Sequence, residues 1–308
     1  MTKVAFCFPG QGSLEVGMGR EIAEAVPEAM EVYRLGSEAT GMDLAHLCFE
    51  GPLEELVETE VQQPTLVATS LAILAAVRKE GLEPDVVVGH SVGEYSALAS
   101  VRAMGTGEAI GLVRERGLAM AEAARARPGA MAAILGLEDQ LVETLCRKIL
   151  MVWPANYNCP GQVVVSGENI AVDKLIEEAS ARGARKTVKL RVSGAFHSPL
   201  VEGAADILRP ALEGVSFSNP VTPFMSTVTA RVEEAQRIGG LLVEQLTGPV
   251  KWTQAVRELV AQGVTTFVEI GPGQVLSGLL RRCDRSLRTV SVGDPESLAK
   301  LQETVTVV

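Results

Sequence analysis

The stretch Gly89-His90-Ser91-Val92-Gly93 restricts the possible folds of this chain more than any other feature. It follows Val86-Val87-Val88, an apolar run typical of a buried strand, and precedes a segment typical of a helix. G-x-S-x-G between a strand and a helix predicts a nucleophile elbow, a tight turn that holds the serine hydroxyl above a sheet edge. The glycines leave room for the turn, and the first amides of the helix can stabilise negative charge there. We therefore predict that Ser91 is a nucleophile.

Composition indicates a globular enzyme. Of the 308 residues, 47% are hydrophobic and 21% are charged, so the chain can bury a large core. The net charge of -10 argues against nucleic acid or an anionic membrane as the main partner. The five cysteines are scattered without C-x-x-C spacing, which indicates reduced thiols rather than disulfides or a metal site. We see no signal peptide and no apolar run long enough to span a bilayer, and we expect a cytoplasmic protein.

Strands and helices alternate along the chain, which predicts an α/β fold with a mostly parallel sheet. The predicted strands outside the middle of the chain are residues 4–8, 86–88, 223–227 and 266–270, with a short one near Val290. The predicted helices include residues 52–58, 64–80, 108–124, 238–246 and 252–261, and one from Ser198-Pro199 to about Leu212. Thr106 is the expected N-cap of the helix that begins near Glu108.

The middle of the chain follows a different pattern, with strands at 130–135, 152–156, 163–165 and 186–191 and helices at 138–149 and 170–182. The order β-α-β-β-α-β is that of a ferredoxin-like unit. Pro128-Gly129 opens this unit and Ser193-Gly194 closes it. We therefore predict a large domain, residues 1–127 and 197–308, that carries a small inserted subdomain, residues 128–196.

A nucleophilic serine needs a base within hydrogen-bond distance, and the chain has three histidines. His90 directly precedes the serine and should point elsewhere, and His46 lies in a plain helical context. His197, at the junction of a loop and a helix between the two predicted domains, is the best candidate. No carboxylate beside a strand end is an evident third member of a triad, so a dyad oriented by a backbone carbonyl is an alternative.

Arg116 lies at the edge of an apolar helical stripe that also contains Val113 and Met120. Helical spacing leaves two interpretations open for this arginine. It is either a surface side chain whose stem packs on apolar neighbours or a residue with a functional role.

Several motifs together resemble one family, the malonyl-CoA:acyl-carrier-protein transacylases. They occur in this order: Phe8-Pro9-Gly10-Gln11-Gly12-Ser13, Gly89-His90-Ser91-Val92-Gly93-Glu94-Tyr95, Arg114-Glu115-Arg116-Gly117, Asn158-Cys159-Pro160-Gly161-Gln162, Ala195-Phe196-His197-Ser198, Pro249-Val250-Lys251-Trp252 and Glu269-Ile270-Gly271-Pro272-Gly273. The match covers essentially the whole chain. The acyltransferase domains of polyketide synthases share most of these motifs.

The resemblance implies a hydrolase-like α/β domain with a ferredoxin-like insert, and it implies roles for individual residues. Ser91 would be the acylated nucleophile, His197 its base, and the amides of Gln11 and Val92 the oxyanion hole. Arg116 would bind the malonyl carboxylate, with Met120 and Phe196 also in the substrate site, and Phe196 would favour malonyl over methylmalonyl. The backbone carbonyl of Lys251 would orient the histidine.

The implied reaction moves a malonyl group from malonyl-CoA to the phosphopantetheine thiol of an acyl carrier protein through a malonyl-serine. We expect no metal and no bound cofactor, no nucleic-acid or membrane partner, and a monomer. Arg281, Arg282, Arg285, Lys186 and Lys189 are candidates for a basic face toward the carrier protein. The alternatives are a serine esterase or thioesterase, a stand-alone polyketide acyltransferase, and a non-catalytic scaffold that binds carrier protein.

Overall fold

The computed structural model describes the backbone of residues 3–305 and the side chains of residues 3–301. The strands are β1 Lys3–Phe8, β2 Val86–Gly89, β3 Ala130–Leu135, β4 Val152–Cys159, β5 Gln162–Gly167, β6 Lys186–Lys189, β7 Phe224–Ser226, β8 Arg231–Glu233, β9 Val264–Ile270 and β10 Arg288–Val292. The α-helices are α1 Arg20–Ala25, α2 Pro27–Thr40, α3 Leu44–Glu50, α4 Leu53–Leu56, α5 Thr59–Lys79, α6 Gly93–Ser100, α7 Thr106–Ala126, α8 Asp139–Ile149, α9 Asn169–Ala181, α10 Glu202–Glu213, α11 Ala235–Thr247, α12 Trp252–Ala261, α13 Val275–Cys283 and α14 Pro295–Val305. A 3₁₀ turn, Pro199–Val201, precedes α10.

The larger sheet has the strand order β10-β9-β1-β2-β7-β8. Its first five strands are parallel to one another, and β8 pairs antiparallel with β7 at the edge. This confirms the predicted α/β fold with a mostly parallel sheet. The short edge strand β8 was not predicted, because three residues with an exposed Val232 carry no hydrophobic alternation to identify it.

The smaller sheet is antiparallel, with the order β4-β5-β3-β6. Its strands alternate with α8 and α9 in the order β-α-β-β-α-β, which confirms the predicted ferredoxin-like insert. The domain limits at residues 128 and 196 stay a prediction. Asn156 of β4 forms an isolated parallel bridge with Val250, which lies between α11 and α12.

Helix α5 begins at Thr59, and not at Pro64 as predicted, so the proline lies inside the helix. A proline has no N–H to donate to the carbonyl four residues earlier, which here belongs to Glu60. Arg114 of α7 supplies the missing donor, because its Nη1 lies 2.6 Å from the oxygen of Glu60. This contact from the neighbouring helix explains why the chain stays helical through Pro64.

Helix α7 begins at Thr106, and its N-cap is Gly105 rather than the predicted Thr106. Glu108, the third residue of the helix, accepts a hydrogen bond from the amide of Gly105 at 3.2 Å, so its carboxylate satisfies the N-cap amide. In the described part of the chain, no helix has the length and hydropathy needed to cross a membrane.

Candidate active site

Ser91 lies in the predicted turn between β2 and α6, with its backbone in the left-handed region at φ 53°. A Cβ on Gly89 would come within 2.1 Å of the backbone of Gly93, and one on Gly93 would come within 2.2 Å of the oxygen of Phe8. Only glycine fits at either position. The turn therefore holds the serine in a backbone conformation that L-residues adopt at a cost, at the carboxyl end of a central strand.

His197 approaches Ser91 from a distant part of the chain. Its Nε2 lies 2.8 Å from Oγ of Ser91, and both side chains are buried. Its Nδ1 donates to the carbonyl oxygen of Gln245 in α11 at 2.8 Å. With Nδ1 carrying the proton, Nε2 is free to accept a proton from the serine. The arrangement is a dyad oriented by a backbone carbonyl, the alternative that the sequence left open.

The orienting carbonyl is that of Gln245 and not that of Lys251, so the expectation for Lys251 is wrong. The carbonyl of Lys251 accepts the amide of Ala255 in the first turn of α12 at 3.0 Å. The Lys251 amide donates to the oxygen of Thr227 at 2.7 Å. Both backbone groups of this residue are used in starting α12 and joining it to the end of β7.

His197 is held in its neutral form. Burial, followed by the positive charge of Arg116, lowers the pKa of its imidazole to about 3. A neutral imidazole is the form that can take the serine proton, so the base does not need to lose a proton before it acts.

Arg116 is fully buried and reaches the nucleophile. Its Nη2 lies 3.2 Å from Oγ of Ser91 and 3.1 Å from Oε1 of Gln245, and its Nη1 donates to Oε1 of Gln63 at 2.6 Å. Within the described residues, it forms no ion pair and its Nε has no hydrogen-bond partner. Burial lowers the pKa of Arg116, but Tyr95 and Glu94 oppose this shift. An unpaired guanidinium in a buried site is suited to binding a carboxylate of the substrate.

The close packing of α7 on α5 puts Arg116 in this position. A Cβ on Gly117 would lie 2.7 Å from the Cα of Glu60, so glycine lets the backbones of the two helices approach. Gln63 of α5 then faces Arg116 directly, and its Nε2 donates to Thr59 at 2.9 Å. The surface interpretation of Arg116 is therefore excluded.

Sequence reasoning gave no role to the side chains of Gln63, Gln245 and Glu94, all of which are buried in the site. Gln245 follows Leu241 and Leu242 on the buried face of α11, and Gln63 precedes Leu66 and Val67 on α5. A polar residue on the apolar face of a helix was the signal that could have identified both glutamines.

The loop of Gln11 lies against the elbow. A Cβ on Gly10 would come within 2.6 Å of the oxygen of His90, and the side chain of Gln11 is anchored by hydrogen bonds to Thr59 and Gln62 of α5 at 2.8 Å each. Val92 is the residue before the first turn of α6. The loop that carries Gln11 and the start of the helix that follows Val92 therefore both adjoin the elbow, and the role of the two amides stays a prediction.

A groove of about 710 Å³ leads along the same loop, and its walls include Gln11, Leu14, Leu190 and Phe196. Phe196 is buried and directly precedes His197 in the chain. Met120 is also buried, and its sulfur accepts from Nε2 of Gln63 at 3.3 Å, one turn of α7 beyond Arg116. Both predicted substrate-site residues are therefore near Arg116 or the groove.

The other two histidines do not contact Ser91. His90 is directed to Oδ1 of Asn158 at 2.9 Å and lies beside the ring of Trp252. His46 is exposed on α3. Among the described residues, no group of His, Cys, Asp and Glu is arranged to hold a metal ion.

Comparison with known proteins identifies the family of the chain. Residues 5–305 match the acyl transferase domain family. The chain is 43% identical to the malonyl CoA-acyl carrier protein transacylase of Bacillus subtilis over 303 residues, covering 97% of this chain and 96% of the relative. It is 39% identical to the enzyme of that name from Escherichia coli, covering 98% and 100% of the two chains.

Solved structures of proteins with this name have the same overall fold. The transacylase of this name from Coxiella burnetii superimposes with a TM-score of 0.96 at 35% identity, covering 99% of this chain and 98% of the other. A malonyl-transacylase solved in complex with its type II polyketide synthase acyl carrier protein gives a TM-score of 0.95 at 39% identity, over 98% and 100% of the chains. By its matched length, its relatives and its fold, the chain belongs to the acyl transferase family, in the group of malonyl CoA-acyl carrier protein transacylases.

Proposed function

We propose that this protein transfers the malonyl group of malonyl-CoA to the phosphopantetheine thiol of an acyl carrier protein, through a covalent ester on Ser91. The relatives carry this activity in their names, and one related structure includes a carrier protein. Malonyl-CoA and the carrier protein are substrates in this proposal, and no bound cofactor takes part. A cytoplasmic location and a monomeric state stay predictions.

In the first half-reaction, Oγ of Ser91 attacks the thioester carbonyl while Nε2 of His197 takes the hydroxyl proton. The carbonyl of Gln245 holds the imidazolium through Nδ1. The amides of Gln11 and Val92 stabilise the oxyanion of the tetrahedral intermediate. The C–S bond then breaks, and His197 returns the proton to the departing CoA thiolate.

In the second half-reaction, the carrier-protein thiol gives its proton to His197 and attacks the ester carbonyl of malonyl-Ser91. The C–O bond to the serine breaks, and His197 returns the proton to Oγ. The same base serves both steps, and the enzyme ends in its starting state.

The single observation that carries the proposal is the distance of 3.2 Å between Nη2 of Arg116 and Oγ of Ser91. A cation this close to the nucleophile selects an acyl group with a carboxylate near the carbonyl that is attacked. Malonyl has such a carboxylate, and a guanidinium binds it through two N–H donors.

The test is intact mass after mixing with malonyl-CoA. Wild type should gain one malonyl group and lose it when holo carrier protein is added, and Ser91→Ala should gain none. Ser96→Ala is the matched control, because Oγ of Ser96 is buried in α6 with no hydrogen-bond partner among the described residues. Loss of the label to water as fast as to the carrier protein would support the hydrolase alternative instead.

A further inference from the structure

Gln245 contacts Ser91, His197 and Arg116. Its backbone oxygen accepts from Nδ1 of His197 at 2.8 Å, and its side-chain Oε1 accepts from Nη2 of Arg116 at 3.1 Å. Its Nε2 donates to the backbone oxygen of Ser91 at 3.1 Å and to Oε2 of Glu94 at 2.6 Å. The side chain is 1% exposed, so water does not satisfy these groups in its place.

Glu94 lies in the first turn of α6, three residues after the nucleophile, and is fully buried. Its Oε1 accepts from the amide and the hydroxyl of Thr227 and from the hydroxyl of Ser226. Its Oε2 accepts from Gln245. All of these partners are donors, so the carboxylate presents an acceptor to Gln245.

This acceptor determines which way the Gln245 amide is turned. With its nitrogen toward Glu94 and the Ser91 carbonyl, its oxygen must face Arg116. The reverse orientation would place the amide oxygen against a carboxylate and a carbonyl, and the amide N–H groups against a guanidinium. Each of those contacts is repulsive or leaves a buried polar group without a partner.

We propose that Glu94 is a positioning residue that acts through Gln245, fixing its amide so that Arg116 is held ready for the carboxylate of the acyl substrate. The proposal rests on the substrate-binding role proposed above for Arg116. It adds to the site a carboxylate whose hydrogen bonds come from Ser226, Thr227 and Gln245 and not from His197, and that differs in this way from the acid of a catalytic triad.

The charges of the site support this role. Burial raises the pKa of Glu94 to about 7, while its hydrogen bonds from Thr227, Ser226 and Gln245 oppose the rise. In turn, the charge of Glu94 helps to keep Arg116 protonated against the effect of burial. Above pH 7, where Glu94 is mainly ionised, it is a buried countercharge for Arg116, whose own hydrogen bonds go to Gln63, Ser91 and Gln245.

Glu94→Gln tests the inference with little change in shape. The new side chain can still accept from Thr227 with its oxygen, but its NH₂ then faces Nε2 of Gln245. Gln245 must turn over, and Arg116 loses an acceptor and gains a facing N–H group. We expect kcat/KM for malonyl-CoA to fall roughly tenfold to a hundredfold, as for a lost hydrogen bond to a charged group in a buried site. The rate with acetyl-CoA, which has no carboxylate, should fall less.

Gln245→Met separates this mechanism from a general loss of stability. It keeps the backbone carbonyl that orients His197 and removes the amide, so the malonyl-to-acetyl ratio should again fall.

Glu269→Gln is the matched control. Glu269 is a second fully buried carboxylate at the end of a strand of the larger sheet, and it accepts from the amides of Leu276 and Ser277 at 2.9 and 2.8 Å. Its loss should lower stability and leave the malonyl-to-acetyl ratio unchanged.

An unchanged ratio in a folded Glu94→Gln would overturn the inference. If wild type forms malonyl-Ser91 in that case, the proposed function stands and only the role of Glu94 is wrong. If wild type forms no such ester, the proposed function itself fails. Should Glu94→Gln not fold, the ratio in Gln245→Met decides the question.

Discussion

Nη2 of Arg116 lies 3.2 Å from Oγ of Ser91, so the residue proposed to select the substrate also touches the nucleophile. An acyl group whose carboxylate binds the guanidinium has its carbonyl close to the serine. A substrate without a carboxylate leaves the buried cation unpaired, which is unfavourable. Selection for a carboxylate and placement of the reacting carbonyl therefore depend on one contact.

The first prediction follows from that contact. Arg116→Ala should lose most malonyl transfer, on the order of 2–5 kcal/mol in kcat/KM, and should gain relative activity with acetyl-CoA. Arg116→Lys should not restore the preference, because one ammonium group cannot reproduce the planar fork of donors. The measurement is the ratio of kcat/KM for malonyl-CoA to that for acetyl-CoA.

Arg114→Ala is the matched control for this series. Arg114 is also an arginine of α7, but it donates to the carbonyl of Glu60 at 2.6 Å and not to groups of the active site. Pro64 has no N–H to donate to the carbonyl of Glu60, so without Arg114 that carbonyl also loses its side-chain donor. The free energy of unfolding should therefore fall, while the malonyl-to-acetyl ratio of kcat/KM is kept. Equal ratios in wild type and Arg116→Ala would mean that the substrate carboxylate is bound elsewhere.

The second prediction concerns acid stability. The pKa of His197 is about 3 in the folded protein, below its ordinary value of 6.5, so below pH 6.5 the unfolded chain binds one more proton than the native state. The contribution of His197 to the free energy of unfolding is therefore fully present above pH 6.5 and is lost as the pH falls toward 3. His197→Gln should remove the effect, reducing by about 1.4 kcal/mol the loss of unfolding free energy between pH 7.5 and 5.5.

The measurement is urea unfolding of wild type and His197→Gln at both pH values. The other two histidines, including His90 with its own lowered pKa, are present in both proteins and cancel in the difference. Parallel pH dependence in the two proteins would show that His197 is protonated equally in its folded and unfolded states.

The sequence was sufficient for the parts of the site that local motifs encode. The elbow glycines predicted the position of Ser91, and the small number of histidines left His197 as the best candidate for its base, 2.8 Å away in the structure. The contact partners of Arg116 could not be found in this way. Gln63 and Gln245 lie 53 and 129 positions from it along the chain, and only the packing of α5, α7 and α11 brings them together.

Backbone acceptors were hard to predict for a related reason. Any residue can present a carbonyl, so side-chain identity gives no indication of which one meets His197. The resemblance pointed to Lys251, whereas the end of α11 presents Gln245. The start of α5 before Pro64 was missed for a similar reason, because the donor to the carbonyl of Glu60 comes from another helix. In both cases a contact between residues far apart in the chain determined the structure, and local sequence could not show it.

The third prediction concerns the carrier protein, which is typically acidic in this family. The five candidate cations are not equivalent in the structure. Arg282 donates to Gln162 of the smaller sheet at 2.7 Å, and Lys189 pairs with Asp173 at 2.6 Å. Arg285 is exposed just after α13 and is the better position for a charge reversal. Arg285→Glu should raise KM for the carrier protein and leave acylation by malonyl-CoA unchanged.

Arg209→Glu, an equal charge change on an exposed residue of α10, is the control and should leave KM for the carrier protein unchanged. The effect at Arg285 should weaken with added salt, because exposed charges are screened over about 8 Å at physiological ionic strength. A KM that is the same in Arg285→Glu and wild type at low salt would place the docking face elsewhere.

The last prediction uses two glycines of one helix. A Cβ on Gly117 would lie 2.7 Å from the Cα of Glu60, whereas one on Gly111 would lie 3.6 Å from the Cβ of Ala39, an ordinary contact. Alanine is favoured over glycine inside a helix by about 1 kcal/mol, so Gly111→Ala should raise the free energy of unfolding. Gly117→Ala must push α7 away from α5 and should cost about 1–3 kcal/mol, as overpacking does.

Gly111→Ala and Gly117→Ala also show whether the helix contact affects substrate selectivity as well as stability. Displacing α7 at Gly117 moves Arg116 relative to Gln63, so Gly117→Ala should also lower the malonyl-to-acetyl ratio of kcat/KM. Gly111→Ala leaves that helix contact intact and should keep the ratio. Denaturant unfolding and the two rate measurements on both variants provide the check. If Gly117→Ala is as stable and as selective as wild type, the close approach of the two helices is not what positions the arginine.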